Sequence, residues 1–231
     1  MASNDVSVVL VHGAWADGSS WSKVIAPLAA AGTRVVAAPL PLTAFADDAA
    51  ALNRVLERVP GPLVLVGHAY AGAVVGAMRD ERVKALVYVA ALAPDEGETV
   101  ADVFYRAQPH PQAPRLAPDS HGWIYLPEAA FATAFAPNAT VEQQVLLAAV
   151  QRPISPACIT VPVARPLWKD RRSWFLVAEQ DRMIVHETQL FMAQRMSSTM
   201  RSHAVDHTPI VTEPSVVVDI IREALETADT R

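Results

Sequence analysis

The chain has 231 residues, 52% of them hydrophobic, enough for one large domain with a sizeable core or for a domain carrying an insertion. Its net charge of −5 and pI near 5.8 leave no basic footprint and argue against nucleic acid as a partner. The one cysteine, Cys158, excludes an internal disulfide and any cysteine-rich metal site, and no apolar run is long enough to span a membrane. The start, Met1-Ala2-Ser3-Asn4-Asp5, lacks a basic stretch followed by an apolar one, so a cytoplasmic protein without a signal peptide is expected.

In chain order, Val6 to Val11 is a valine-rich run of the kind found in a strand buried on both faces. His12-Gly13-Ala14-Trp15 follows it. Ser19 or Ser20 can cap a helix from about Trp21 to Ala31, which Gly32 ends. Arg34 to Ala38 reads as the second strand. Asp47 to Val59 reads as an amphipathic helix, with Ala51, Leu52, Val55, Leu56 and Val59 on one face. After Pro60-Gly61-Pro62 comes a third strand, Leu63 to Val66, then a tight turn and a helix from about Tyr70 to Met78. Val83 to Ala90 is the fourth strand.

Beyond Pro94 the pattern changes. Eleven of the eighteen prolines fall between Pro94 and Pro166, with no clear strand–helix alternation. Two helices are predicted there, about 127–136 and 141–150, the second with a capping box from Thr140 and Gln143. So long a stretch without structure of its own is uncommon in a compact domain, so it reads as a cap inserted over the sheet. The expected division is a core of 1–97 and 167–231 with a cap of 98–166. The alternation then resumes: a strand at 173–177, Glu179-Gln180-Asp181, a helix at 187–196, a strand at 201–205, Asp206-His207, and a last helix opened by Thr212-Glu213-Pro214. Strands alternating with helices give right-handed crossovers and a mainly parallel sheet, whose ligands bind at the carboxyl ends of the strands. His12, Ala69, Asp181 and His207 all fall at such ends.

The turn Val66-Gly67-His68-Ala69-Tyr70-Ala71-Gly72 has the layout of a nucleophile elbow, where a strand turns sharply into a helix and small neighbours permit the strained backbone. The pattern G-x-S-x-G reads Gly67-His68-Ala69-Tyr70-Ala71. A methyl group stands where the nucleophilic hydroxyl is expected, and it cannot attack a carbonyl.

With Val11 to Trp15, Val66 to Gly72, Glu179-Gln180-Asp181 and Asp206-His207-Thr208-Pro209 in this order, the chain resembles the α/β-hydrolase fold superfamily. It is similar above all to the small bacterial esterase-like members and the related plant methylesterases and hydroxynitrile lyases. The resemblance implies an α/β fold with helices on both faces of a six-stranded sheet in the order 2-1-3-4-5-6, and a helical cap after the fourth strand. It also implies that His207 is a general base oriented by Asp181, with Glu179 in reserve, and that the backbone N–H groups of Ala14 and Tyr70 form an oxyanion hole beside Ala69.

Trp15, Tyr70, Phe104, Tyr105 and Trp123 are candidates to wall an apolar substrate pocket. His12 and His68 read as structural, holding loop backbone. Cys158, with no neighbouring base in sequence, reads as an inert thiol. His, Cys and acidic residues do not fall at metal-ligand spacings, and no cofactor is expected. Three functions stay open. One is an enzyme without a covalent intermediate, performing ester or lactone hydrolysis, a lyase reaction or proton transfer on a small carbonyl compound. Another is an ordinary serine esterase with an engineered Ser→Ala change at position 69. The third is a non-catalytic small-molecule-binding protein. The expected partner is the small molecule, with no nucleic acid and no membrane, and a homodimer stays open.

Overall fold

A computed structural model describes residues 6–228; residues 1–5, on which the N-terminal expectation rests, lie outside the described residues. The six strands are β1 (Ser7–Val11), β2 (Arg34–Ala38), β3 (Leu63–His68), β4 (Val83–Val89), β5 (Arg172–Ala178) and β6 (Thr199–His203). They form one parallel sheet in the order β2-β1-β3-β4-β5-β6, the order expected from the resemblance. All of β1 and β3 is buried, as their valine- and leucine-rich sequences require when helices cover both faces.

The crossovers carry α1 (Ser22–Ala30), α2 (Phe45–Leu56), α3 (Ala71–Gly76) and α7 (His186–Arg195). The short α8 (Pro209–Thr212) precedes the long C-terminal α9 (Pro214–Ala228), which packs on β3, β4 and β5. Among the described residues, no helix is long and apolar enough to cross a membrane. The turn before α1 is held by Asp17, whose carboxylate accepts from the Ser19 N–H, so neither Ser19 nor Ser20 caps α1 itself.

The segment 98–166 holds α4 (Val100–Phe104), α5 (Glu128–Ala130) and α6 (Val141–Ala149), with an isolated antiparallel bridge from Ile124 to Ile154. The helix predicted over 127–136 is α5 followed by one π-helical turn, Phe131–Phe135. The wider turn keeps Phe131, Ala134 and Phe135 buried together, and such turns recur near functional sites. α4 was not predicted, although Thr99 and Asp102 form a capping box there. The last strand lies two residues before its predicted place. β6 is an edge strand with mostly exposed side chains, so it carries no apolar run, and the buried Val205 drew the reading beyond its end.

Candidate active site

The elbow forms although its apex carries no hydroxyl. Ala69 sits in the left-handed region at φ +50°, a conformation costing an L-residue roughly 1–2 kcal/mol. The surroundings fix it there. The Ala69 N–H donates to the Val89 carbonyl at 3.2 Å, and the Ala69 carbonyl accepts from Leu92 N–H at 2.9 Å. A side chain on Gly67 would begin 2.8 Å from the Ala71 carbonyl oxygen, and one on Gly72 would begin 2.5 Å from that of Leu92. Close backbone approach therefore needs glycine at both places, while Ala71 is accommodated, fully buried, between them.

His207 follows β6 and Asp181 follows β5. The His207 Nδ1–H donates to Asp181 Oδ2 at 2.8 Å, with both side chains buried. Asp181 also accepts from the backbone N–H groups of Met183 and Ile184, at 2.7 and 2.9 Å, and from the Gln189 side-chain amide at 2.8 Å. These donors fix the carboxylate, and with it the tautomer whose proton sits on His207 Nδ1, leaving Nε2 unprotonated. Gln189 is itself locked, because its Oε1 accepts from Ala178 N–H and its Nε2 also donates to the Ile184 carbonyl. Glu179, the reserve acid, accepts from the Ser202 hydroxyl in an exposed position and does not join the pair.

The loop after β1 supplies the second half. His12 Nδ1–H donates to the Gly13 carbonyl at 2.9 Å, and His12 Nε2 accepts from Leu40 N–H at 3.0 Å. Burial pushes the His12 pKa below its ordinary value and keeps the ring neutral. His68 Nε2–H donates to the His207 carbonyl at 2.8 Å, which anchors the histidine loop to the elbow. Burial, reinforced by the nearby His207 ring, pushes the His68 pKa down to about 3. Both histidines thus hold backbone, as expected. Among the described residues, neither Ala14 N–H nor Tyr70 N–H has a hydrogen-bond partner, and both residues line one cavity with Ala69 and His207.

That cavity, about 60 Å³, is closed by Leu92, Met183 and Ile184 from the sheet side and by Val100, Phe104, Tyr105, Leu116, Ile124, Ile154 and Ile159 from the 98–166 segment. Trp15 lines it too, and its indole N–H donates to the Ile124 carbonyl at 2.9 Å while its backbone N–H donates to the Arg152 carbonyl at 3.0 Å. Trp15 therefore ties the loop after β1 to the segment above. No serine, threonine or cysteine lines the cavity among the described residues. Trp123 does not line it, contrary to the sequence reading. The chain reverses at Asp119, whose carboxylate accepts from the Trp123 N–H, and the neighbouring Ile124 is the residue turned inward. Cys158 is fully buried, its pKa raised by burial to about 12, so it stays an unreactive thiol. Among the described residues, no group of three or more His, Cys, Asp or Glu could hold a metal ion.

Two buried polar residues next to this site belong to no motif of the sequence. Gln189 lies on the buried face of α7, and Asp48 lies on the buried face of α2 with Ala51 and Leu52. The signal was present: a polar residue at a core position of an amphipathic helix.

The model of the alpha/beta hydrolase family matches residues 8–220. Among solved structures, the fold is similar to that of polyneuridine aldehyde esterase, at 19% identity and a TM-score of 0.78 over 95% of this chain and 98% of that chain. It is similar to a pyrethroid hydrolase from Sphingobium faniae JZ-2, at 17% identity and a TM-score of 0.79 over 96% and 98% of the two chains. Tomato methylketone synthase I, solved as a histidine-to-alanine variant with beta-ketoheptanoate, gives 18% identity and a TM-score of 0.83 over 97% and 99%. No curated protein matches the sequence. At such identities the structural likenesses speak for the fold.

Proposed function

The chain belongs to the alpha/beta hydrolase family, and from that premise we propose that it is an enzyme working without a covalent intermediate, a lyase or proton-transfer catalyst acting beside the carbonyl of a small, mostly apolar compound. One observation carries this reading. A buried His207–Asp181 pair and two unpartnered backbone N–H groups share an apolar cavity with the methyl group of Ala69.

In this scheme the substrate carbonyl oxygen sits on the Ala14 and Tyr70 N–H groups. His207 Nε2 removes a proton from the carbon next to the carbonyl, or delivers one to it. Negative charge gathers on the carbonyl oxygen as an enolate, where the fixed amides are already aimed. Asp181 stabilises the imidazolium that forms. A positioned base contributes about 10² to 10⁴-fold and one oxyanion donor about 10² to 10³-fold, enough for an activated carbon acid.

Hydrolysis by a free water fits less well. An ordered water needs two to four polar partners. The lining offers it His207, the two amides being engaged by the substrate oxygen. The beta-ketoheptanoate bound by the tomato enzyme is a carbonyl compound with an activated neighbouring carbon, the class this chemistry suits.

The test is proton exchange. Small ketones, beta-keto acids and lactones are incubated with the protein in deuterated water and followed by NMR. Deuterium incorporation beside the carbonyl, or loss of the carboxyl group, is expected and should vanish in His207→Ala. If the unmodified protein does nothing while Ala69→Ser hydrolyses aryl esters rapidly, the protein is a serine esterase with a replaced nucleophile. If neither reacts but one compound binds tightly, the cavity is a receptor site.

A further inference from the structure

Behind the elbow lies a buried carboxylate that the scheme above does not use. Asp48 is fully buried on α2, and among the described residues no lysine, arginine or histidine pairs with it. Its Oδ2 accepts from the Tyr70 hydroxyl at 2.6 Å and from the Cys158 thiol at 3.6 Å. Its Oδ1 accepts from the Leu42 N–H at 2.7 Å. A buried carboxyl without a cation is costly, and the other buried positions of the same helix, Ala51, Leu52 and Leu56, are apolar. Packing alone would be served by another apolar residue.

What Asp48 holds explains its presence. Leu42 is in the left-handed region at φ +61°, and its carbonyl accepts from Ser155 N–H at 2.9 Å. Tyr70 directly follows Ala69, which is also in the left-handed region. Strained backbone persists only where its surroundings over-determine it. One carboxylate therefore fastens the residue after the strained apex, a second strained turn, and, through Ser155 and Cys158, the end of the segment above the cavity.

We propose that Asp48 is a positioning residue for the reaction: it holds Tyr70 so that the 69–70 peptide N–H stays aimed at the substrate oxygen, and it couples that aim to the 155–158 strap. The proposal rests on the oxyanion role given above to the Tyr70 amide. Burial also holds the Asp48 carboxyl above the usual carboxylate range.

The probe is p-nitrophenol, an aromatic oxyanion whose ionisation is read from its visible absorbance without turnover. The unmodified protein should bind the phenolate in preference to the phenol. Asp48→Asn and Tyr70→Phe should each reduce that preference roughly ten-fold, and the double variant should lose at most about twice more, because the two residues act as a unit. Turnover of the exchange substrate should show kcat reduced by a similar factor with KM nearly unchanged. The sign discriminates: removing a negative charge would by itself relieve Coulomb repulsion and strengthen phenolate binding. If Asp48→Asn misfolds, Tyr70→Phe, which deletes one oxygen atom, carries the test. Lower thermal stability with unchanged phenolate preference in the folded variants would overturn the proposal. No preference in the unmodified protein would overturn the oxyanion assignment and this proposal with it. A preference reduced by neither variant would overturn this proposal alone.

Discussion

The two walls of the cavity differ in kind. The wall built by the loops after the parallel strands brings His207, the Ala14 and Tyr70 amides, and, one layer behind, Asp181, Gln189 and Asp48. The wall built by the 98–166 segment brings hydrocarbon and aromatic side chains, from Val100 to Ile159. The difference follows from their scaffolds. The carboxyl ends of parallel strands converge on one edge and are locked by sheet pairing, so they can hold polar atoms within tenths of an ångström. The proline-rich segment has short helices and one isolated bridge. It can exclude water and shape a volume. One wall is thus suited to chemistry and the other to selection.

Four changes would break or sharpen that contrast. The largest effect is expected on the polar wall. His207→Ala should lower kcat about 10² to 10⁴-fold while KM changes little, because a general base acts on the transition state. An equal loss in KM and none in kcat would make His207 a binding contact. Gln189→Leu comes next. It removes a hydrogen bond to a charged carboxylate, worth about 1.5–3 kcal/mol, so kcat should fall roughly 10- to 100-fold by steady-state kinetics. If the Asp181 orientation is secured by the Met183 and Ile184 amides alone, the loss will be under two-fold.

On the apolar wall the signature should reverse. Ile124→Ala removes three buried carbons, about 2 kcal/mol of contact, and should raise KM about 5- to 30-fold with kcat nearly constant. A kcat effect matching that of Gln189→Leu would erase the division between the walls.

The smallest effect is a pH dependence of stability set by the histidines that hold the polar wall. His68 has a folded pKa of about 3, and His12 is also lowered. The unfolded chain protonates both rings near the ordinary histidine value, about 6.5, while the folded chain does not. Stability is therefore complete above that value and falls as pH drops toward 3, by about 1.4 kcal/mol per pH unit for His68 alone. Asp48, raised by burial, gains stability in the folded state as pH falls below its folded pKa and partly offsets the loss. Thermal melts between pH 7.5 and 4.5 should show a decline that His68→Gln flattens.

Much of this was legible in the sequence, for identifiable reasons. Val6 to Val11 is apolar apart from Ser7 and Leu63 to Val66 is a continuous apolar run, so two buried parallel strands could be placed. The exposed β6 and the one-turn α8 carry no such periodic signal. His207 and Asp181 were found because each follows a strand at a loop of family pattern, and the structure brings them to 2.8 Å. Trp123 was assigned to the pocket because aromatic residues often wall pockets. The register of an irregular segment decides which neighbour faces inward, and Ile124 does.

The sequence by itself determined the α/β class, the strand order through its resemblance, the elbow, and the absence of a hydroxyl at its apex. These are local or near-local properties: apolar periodicity, glycines where backbone crowds backbone, and the identity of residue 69. Only the tertiary structure decided that Gln189 locks Asp181, that Trp15 holds the segment above, and that Asp48 joins Tyr70, Leu42 and Cys158 at one carboxylate. Asp48 and Cys158 are 110 residues apart. Hydrogen bonds across such separations leave no period or spacing in the chain, because they exist only after the crossovers have stacked α2, the elbow and the strap into one core.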